Sequence, residues 1–325
     1  MAKSGKDINL AIRILEAGDL VAVPTETVYG LAGNAFNEEA VLKIFEVKNR
    51  PSFDPLIVHV ADIKQVDQIV TDIPPSVSAL AERFWPGPLT ILLQKRDSVP
   101  DVVTSGLDTV AVRVPNHPLT LELIKSIDFP LAAPSANPFG YVSPTTVKHV
   151  NDQLGGSISY ILDGGTCHVG IESTIIGFQD GVPMIFRLGG IPIEEIEAIT
   201  GKVRIKAHSS SRPSAPGSLE SHYAPGKPVF LENIDPAKKS VEALEKVGLI
   251  RFREPIPGVT ADRQIVLSAS GDLKEAAKNL FAALRSMDEM DVESVIAEPL
   301  PEKGLGRAIN DRLRRAAAKK LQHTK

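Results

Sequence analysis

Cysteine is nearly absent: Cys167 is the only one in 325 residues. An intramolecular disulfide is excluded, and with it a CxxC redox pair or a cysteine-built zinc site. A single thiol of this kind most often packs as a small apolar side chain, and the composition suits a reducing compartment. Long apolar runs are missing too. None approaches the ~18 residues of a membrane-spanning helix, and the opening MAKSGKDINLAIRILEAGD breaks its apolar stretch with charge. It reads as an amphipathic helix, not a signal peptide, so a cytoplasmic setting with no membrane partner is expected. Strong net charge is lacking as well. A formal value of −4 does not suit a protein built around a strongly basic nucleic-acid surface. It leaves room for a local basic patch around Arg312, Arg314, Arg315, Lys319 and Lys320. Neither GxxxxGKS/T nor GxGxxG after a strand occurs, and the histidines lack HExxH spacing. GLGRA (304–308) has no third glycine and reads as a helix start.

What is present is an ordinary globular composition, 43% apolar and 23% charged, long enough for two domains. Apolar runs at 20–23, 56–60, 89–94, 109–114, 130–136, 158–163, 173–178 and 184–189 read as strands. Helical periodicity falls at 7–18, 37–48, 62–70, 75–84, 117–127, from about Pro144, and at 192–200. So many strands per helix imply an α/β unit with a mixed, twisted sheet. HSSSRPSAPGSLESHYAPGKP (208–228) has no apolar period and reads as a linker or a long functional loop. Beyond it, strands at 228–232, 247–252, 264–268 and 294–299 alternate with helices at 236–246, 272–288 and 306–320, a pattern that predicts an open parallel sheet. The division is 1–205, a linker at 206–227, and 228–325.

Polar groups cluster at the ends of strand candidates, where α/β scaffolds place their sites. In VPTETVYGLAGNA (23–35), Thr25, Glu26 and Thr27 follow a strand, and Gly30 and Gly33 are read as residues of tight turns. In EVKNRPSFDPLIVHV (46–60), Lys48 and Arg50 precede a strongly apolar strand. Either they face water or a bound anion is their partner, since buried cations need one. His59 follows Ile57 at strand spacing and shares its face. Arg113 lies inside the apolar strand TVAVRV and so requires an anion. Ser135 and Asn137 follow a strand, and Ser143, before Pro144, is expected to cap a helix. Ser173 and Thr174 open a strand, and Arg187 sits late in the next, where pairing would set it beside Ser173. Four cations and several hydroxyls, without paired catalytic carboxylates or a Cys/His dyad, suggest a phosphate-binding cleft working by positioning and charge neutralisation.

PTETVYGL, the Lys48-Asn49-Arg50 triplet, PLIVH, WPGPLT (85–90), LDTVAVRVP, APSAN, the DGG and GIESTI strings and RLGG occur in this order, and the series resembles the YrdC/Sua5 family. HYAP (222–225) is similar to that family's linker, and GLGRAINDRLRRAA to its C-terminal end. The resemblance spans nearly the whole chain. It implies a twisted mixed-sheet YrdC-like domain followed by a smaller, Rossmann-like Sua5 domain. It further implies a nucleotidyltransferase that makes threonylcarbamoyl-AMP from L-threonine, bicarbonate and ATP, with Mg²⁺ accompanying ATP and pyrophosphate released. Downstream transferase proteins would move the threonylcarbamoyl group to adenosine 37 of ANN-decoding tRNAs, with at most weak or transient tRNA contact here. By the same resemblance Lys48 and Arg50 are expected to be catalytic and, with Thr109, Ser135, Asn137, Ser143, Arg187, His222 and Tyr223, to bind ATP. Thr25, Thr27, His59, Arg113, Ala133 and Ser173 would hold threonine. The linker departs from the family's more basic string, reading APGSLESHYAP with an acidic Glu220. The alternative is an RNA-binding module of the same fold without this chemistry. A carbamoyl-transfer role like that of hydrogenase-maturation proteins fits less well, because their zinc-finger cysteines are missing.

Overall fold

Short apolar runs pair into two separate sheets in the computed structural model, which describes residues 1–206, 213–217, 219, 223–234 and 244–318. His222, Glu220, Lys319, Lys320 and most of the helix expected at 236–246 lie outside the described residues. The first eleven strands are β1 (Lys3–Gly5), β2 (Val21–Val23), β3 (Gly30–Asn34), β4 (Ile57–His59), β5 (Leu89–Gln94), β6 (Thr109–Arg113), β7 (Leu131–Ala132), β8 (Tyr160–Leu162), β9 (Thr174–Gln179), β10 (Val182–Arg187) and β11 (Arg204–Ile205). They form one mixed sheet in the order β1-β8-β2-β3-β7-β4-β6-β5-β9-β10-β11. The helices among them are α1 (Ile8–Glu16), α2 (Glu38–Lys48), α3 (Ile63–Val66), α4 (Pro75–Phe84), α5 (Asp101–Thr104), α6 (Pro118–Lys125), α7 (Val147–Leu154) and α8 (Ile193–Thr200). Strands β2, β4 and β8 are buried along their whole length, which is why they read as unbroken apolar runs. The second sheet is parallel, β12 (Val229–Leu231), β15 (Ser294–Ala297), β13 (Val247–Arg251) and β14 (Gln264–Val266) in that spatial order, with α9 (Leu273–Glu289) and α10 (Leu305–Ala317). Among the described residues no helix is long and apolar enough to cross a membrane.

Two readings of the sequence are corrected. Gly30 and Gly33 are not turn residues; they lie within β3, where a Cβ would stand 3.3 Å from Ala133 Cβ and 2.9 Å from Leu20 Cδ2 respectively. They allow close approach to neighbouring elements, and their weak strand propensity hid the strand. Ser143 is not a helix cap either. Thr146 caps α7, its side chain accepting from the His149 amide, and the Ser143 hydroxyl donates instead to Glu172 Oε1 at 2.5 Å.

The two sheets' units meet through a shared apolar core. Val28, Val142, Ile171 and Tyr223 join one cluster with Phe281, Leu284, Ile309 and Leu313 of α9 and α10. Polar contacts pin the same face. Arg285 donates to the Val142 carbonyl and to Gln153 Oε1, and the Tyr141 hydroxyl reaches Asp288 at 2.5 Å. The basic patch anticipated on α10 divides. Arg314 is exposed and pairs with Glu302, whereas Arg312 and Arg315, three apart on the helix, are buried at 0% and 2% exposure.

Candidate functional site

Parallel pairing of β4 and β6 sets His59 directly opposite Arg113 at the carboxyl ends of both strands. Here they open into a cavity of about 50 Å³, which Thr25, Arg50, Ala133, Ser135, Arg187 and Tyr223 also line. Of the other residues singled out from sequence, Thr27, Lys48, Asn137, Ser143 and Ser173 stand behind this lining. Thr109 opens β6 at the end away from Arg113, roughly 13 Å along the strand, and pairs with Gln94.

Arg113 is held on three sides. Its Nε donates to the Gly87 carbonyl at 3.3 Å, and its Nη2 to Glu26 Oε1 at 2.7 Å and to the Thr27 hydroxyl at 2.9 Å. Glu26 is fixed in turn by the Asn116 amide on Oε2 at 2.9 Å. The Thr25 hydroxyl closes the turn, donating to the Val28 carbonyl and accepting from the Thr27 and Val28 amides. The guanidinium is therefore rigid, and its Nη1 makes no hydrogen bond among the described residues. Burial first, and the Arg113 charge second, push His59 down to about 3, so its imidazole is neutral. Its Nδ1 is buried without a hydrogen-bond partner among the described residues.

Arg50 and Lys48 diverge because Asn49, in the left-handed region at φ 50°, caps α2 between them. Arg50 turns to the cavity, bonded to the carbonyls of Asp54 and Pro55 at 3.0 and 2.7 Å and ion-paired with Asp54 at 3.0 Å. Lys48 turns inward and anchors the loop after β7, donating to the Ser135 carbonyl at 2.5 Å and to that of Asn137. Burial, with the Arg50 charge adding, holds its ammonium well below the usual lysine pKa. Asn137 Nδ2 ties the loop to the Pro138 and Tyr141 carbonyls.

Arg187 stands beside Ser173 because β9 and β10 are antiparallel, with a bulge between Ile185 and Arg187. Its Nε meets the Ser173 carbonyl at 3.1 Å and its Nη2 the hydroxyl at 2.9 Å, while Thr90 shares that hydroxyl at 2.7 Å. Gly189 makes the approach possible: a Cβ there would lie 2.4 Å from the Glu172 carbonyl oxygen. The Pro216–Gly217 turn covers the cavity. The Pro216 carbonyl accepts from Arg187 Nη1 and the Gly217 amide donates to Asp54 Oδ1, each at 3.4 Å. Gly217 has φ 65°, and a Cβ would come within 3.0 Å of Arg187 Nη1.

The sequence left Glu26, Asp54, Glu172 and Gly217 without a role and offered Arg312 and Arg315 only as members of a possible basic patch. Glu172 accepts from Arg312 Nε at 2.8 Å across the two units. Burial would raise its carboxyl, but the Arg312 and Arg187 charges and the Ser143 hydroxyl outweigh that, and the net displacement is downward. Among the described residues Lys48, Arg50, Arg113, Arg187, Arg312 and Arg315 thus outnumber the buried carboxylates Glu26, Asp54, Glu172 and Asp311, six to four. The site is poised for anions. Cys167 is buried and pushed up to about 12, which leaves it an unreactive thiol.

A buried neutral histidine makes the fold acid-sensitive. With a folded value near 3 against 6.5 for a free imidazole, the unfolded chain binds more protons below pH ~6.5. Stability is therefore highest above that point and falls as pH drops toward the folded value, by about 1.4 kcal/mol per unit for His59 alone. Denaturant titrations between pH 7 and 4 are expected to show this slope. His59→Asn is expected to reduce it, while His149, pushed down to about 4 by burial, and His117 keep their own shares, and an unchanged slope in that variant would contradict the assignment.

The family model described as telomere recombination (Sua5_yciO_yrdC) matches residues 13–189. The model described as threonylcarbamoyl-AMP synthase, C-terminal domain (Sua5_C) matches residues 191–318. The threonylcarbamoyl-AMP synthase of Pyrococcus abyssi is 42% identical over 97% of this chain and 95% of its own length. That of Bacillus subtilis is 40% identical over 98% and 94%. The crystal structure of P. abyssi Sua5 complexed with L-threonine superposes with a TM-score of 0.89 at 43% identity, covering 96% of this chain and 94% of the other. With both parts matched by their own models and relatives aligned end to end, the chain belongs to the Sua5/YrdC family.

Proposed function

We propose that this chain is a threonylcarbamoyl-AMP synthase, a nucleotidyltransferase that joins L-threonine, bicarbonate and ATP into threonylcarbamoyl-AMP and pyrophosphate. The observation that carries the reading is the rigid Arg113, with one unused guanidinium edge at the cavity, set among the cations Arg50 and Arg187. Full-length relatives of the same name support it.

In this reading the threonine carboxylate takes Arg113 Nη1, and His59 Nδ1 and the Thr25 turn line the pocket beside it. The amine condenses with bicarbonate to give a carbamate and water. The carbamate oxygen, already an anion, attacks the α-phosphorus, and pyrophosphate leaves with the electron pair of the broken P–O bond. No strong base is required at that step. Arg50 and Arg187 neutralise the phosphates, and Ser173 orients Arg187. Lys48 adds its charge from behind the Ser135–Asn137 loop, on which the nucleotide would rest. Mg²⁺ would arrive on the triphosphate, held by phosphate oxygens and water; we assign it no protein ligand.

Pockets for small molecules usually span about 300–1,000 Å³, far above the 50 Å³ found here. The Pro216–Gly217 turn and Tyr223 must lift for ATP to enter and settle again to shield the labile mixed anhydride from water. We place the enzyme in the cytoplasm, passing its product to separate transferases that modify adenosine 37 of ANN-decoding tRNAs. Mass spectrometry of reactions lacking ATP, threonine or bicarbonate in turn is the test. The adduct is expected only with all three. Its absence from the complete mixture, together with tight, steeply salt-dependent tRNA binding, would favour the RNA-binding module instead.

A further inference from the structure

Arg315 is 2% exposed, yet among the described residues none of its three guanidinium nitrogens makes a hydrogen bond. Buried polar and charged groups in native proteins are hydrogen-bonded, and every other arginine around the cavity is. The facing carboxylate is Asp311, 3.7 Å from Nη1, beyond hydrogen-bond reach and already engaged by Arg312 Nη1 at 2.6 Å. What covers Arg315 is the ring of Tyr223, 4.6 Å from the guanidinium carbon, with Arg312 also 4.8 Å from that ring. Tyr223 is itself a wall of the cavity. Its hydroxyl and Arg187 Nη1 come within 3.4 and 3.0 Å of the same point over Gly217.

We propose that Arg315, on α10 of the second unit, is a phosphate-binding residue of this site that takes the pyrophosphate end of the nucleotide. Three observations carry the assignment. The guanidinium has a full set of unused donors in a planar fork, the geometry that binds phosphate bidentately. Among the described residues the buried cations here exceed the buried carboxylates by two, a balance that favours an anion. Tyr223, which screens the guanidinium, has φ 63°, a conformation rare and strained for a tyrosine. Moving its ring aside exchanges a cation–π contact for stronger charge-assisted bonds. The charge of Arg315 is felt at Asp54 and Arg187 on the cavity side, consistent with that direction of approach. The second unit would then supply a group that touches substrate, and its docking would complete the site.

The inference rests on the proposed use of ATP here, and the test separates the two. Inorganic pyrophosphate is titrated calorimetrically into the full chain, wild type and Arg315→Met. Loss of a bidentate charged contact is expected to weaken binding about 30-fold or more, with a parallel rise in KM for ATP. KM for threonine should stay within about twofold, a split that general loosening of the fold would not produce. Arg315→Lys should recover part of the affinity. Pyrophosphate affinity unchanged in Arg315→Met overturns the proposal. If that variant does not fold, wild-type crystals grown with pyrophosphate decide: a phosphate oxygen on Arg315 is expected, and a bound pyrophosphate that does not touch it overturns the proposal. Wild-type protein that binds pyrophosphate through Arg315 but forms no threonylcarbamoyl-AMP would keep this site and remove the functional reading.

Discussion

Arg113→Lys is expected to lower kcat/KM for threonine by about a hundredfold in a protein that still folds. The reason lies in how the guanidinium is divided. Nε and Nη2 are occupied by Gly87, Glu26 and Thr27, and Nη1 is what remains for a substrate carboxylate. A lysine can stay with Glu26, so no buried carboxylate is stranded, but one ammonium cannot reach both anions in the same fixed geometry. Losing a charge-assisted hydrogen bond in a buried site costs about 1.5–3 kcal/mol, or one to two decades in kcat/KM. Arg113→Ala is a poorer choice, since it leaves Glu26 unpaired and risks about 3–5 kcal/mol of stability. Steady-state kinetics with threonine varied at saturating ATP check the prediction. Unaltered threonine kinetics in folded Arg113→Lys would remove the carboxylate assignment.

The second large effect concerns the joint between the two units. Arg312→Met is expected to destabilise the protein by about 3–5 kcal/mol, because it leaves Glu172 buried opposite nothing but Arg187 and the Ser143 hydroxyl. Arg312 bridges the units with two bonds, Nε to Glu172 and Nη2 to the Leu188 carbonyl, each 2.8 Å. Against a typical total of about 5–15 kcal/mol, such a loss should lower the melting temperature by roughly 6–10 °C. It should also let the units unfold in separate calorimetric transitions. The pair has a definite pH signature. Glu172 is held below its free value near 4.5, so its contribution is complete above that value and disappears as pH falls through the lower folded one. The difference between wild type and Arg312→Met should therefore be largest where Glu172 is ionised in both proteins, and it should shrink as pH falls toward and below 4.5. One cooperative transition in the variant, at the wild-type temperature, would mean that the apolar core alone holds the units together.

Much of the local structure was legible in the sequence. LTILLQ forms β5 and PSVSALAERF forms α4 over the anticipated residues, since alternation and helical spacing are properties of a few neighbouring side chains. Gly30 and Gly33 misled because the same absent Cβ serves a turn or a close contact, and only the neighbours Leu20 and Ala133 reveal which. Arg312 and Arg315 misled for a related reason. A run of arginines near a helix end looks solvated until a second surface is laid on it.

Where the strands and helices form, and that several cations stand at strand ends, follows from local propensity and apolar spacing, which act over a handful of residues. What each cation meets is set by long-range packing. Glu26 is paired with Arg113 across 87 positions and Glu172 with Arg312 across 140, and Arg315 is left facing a ring. Burial makes that choice decisive, since a charge withdrawn from water is tolerable only beside its partner, and partners are fixed by packing of distant segments rather than by spacing along the chain.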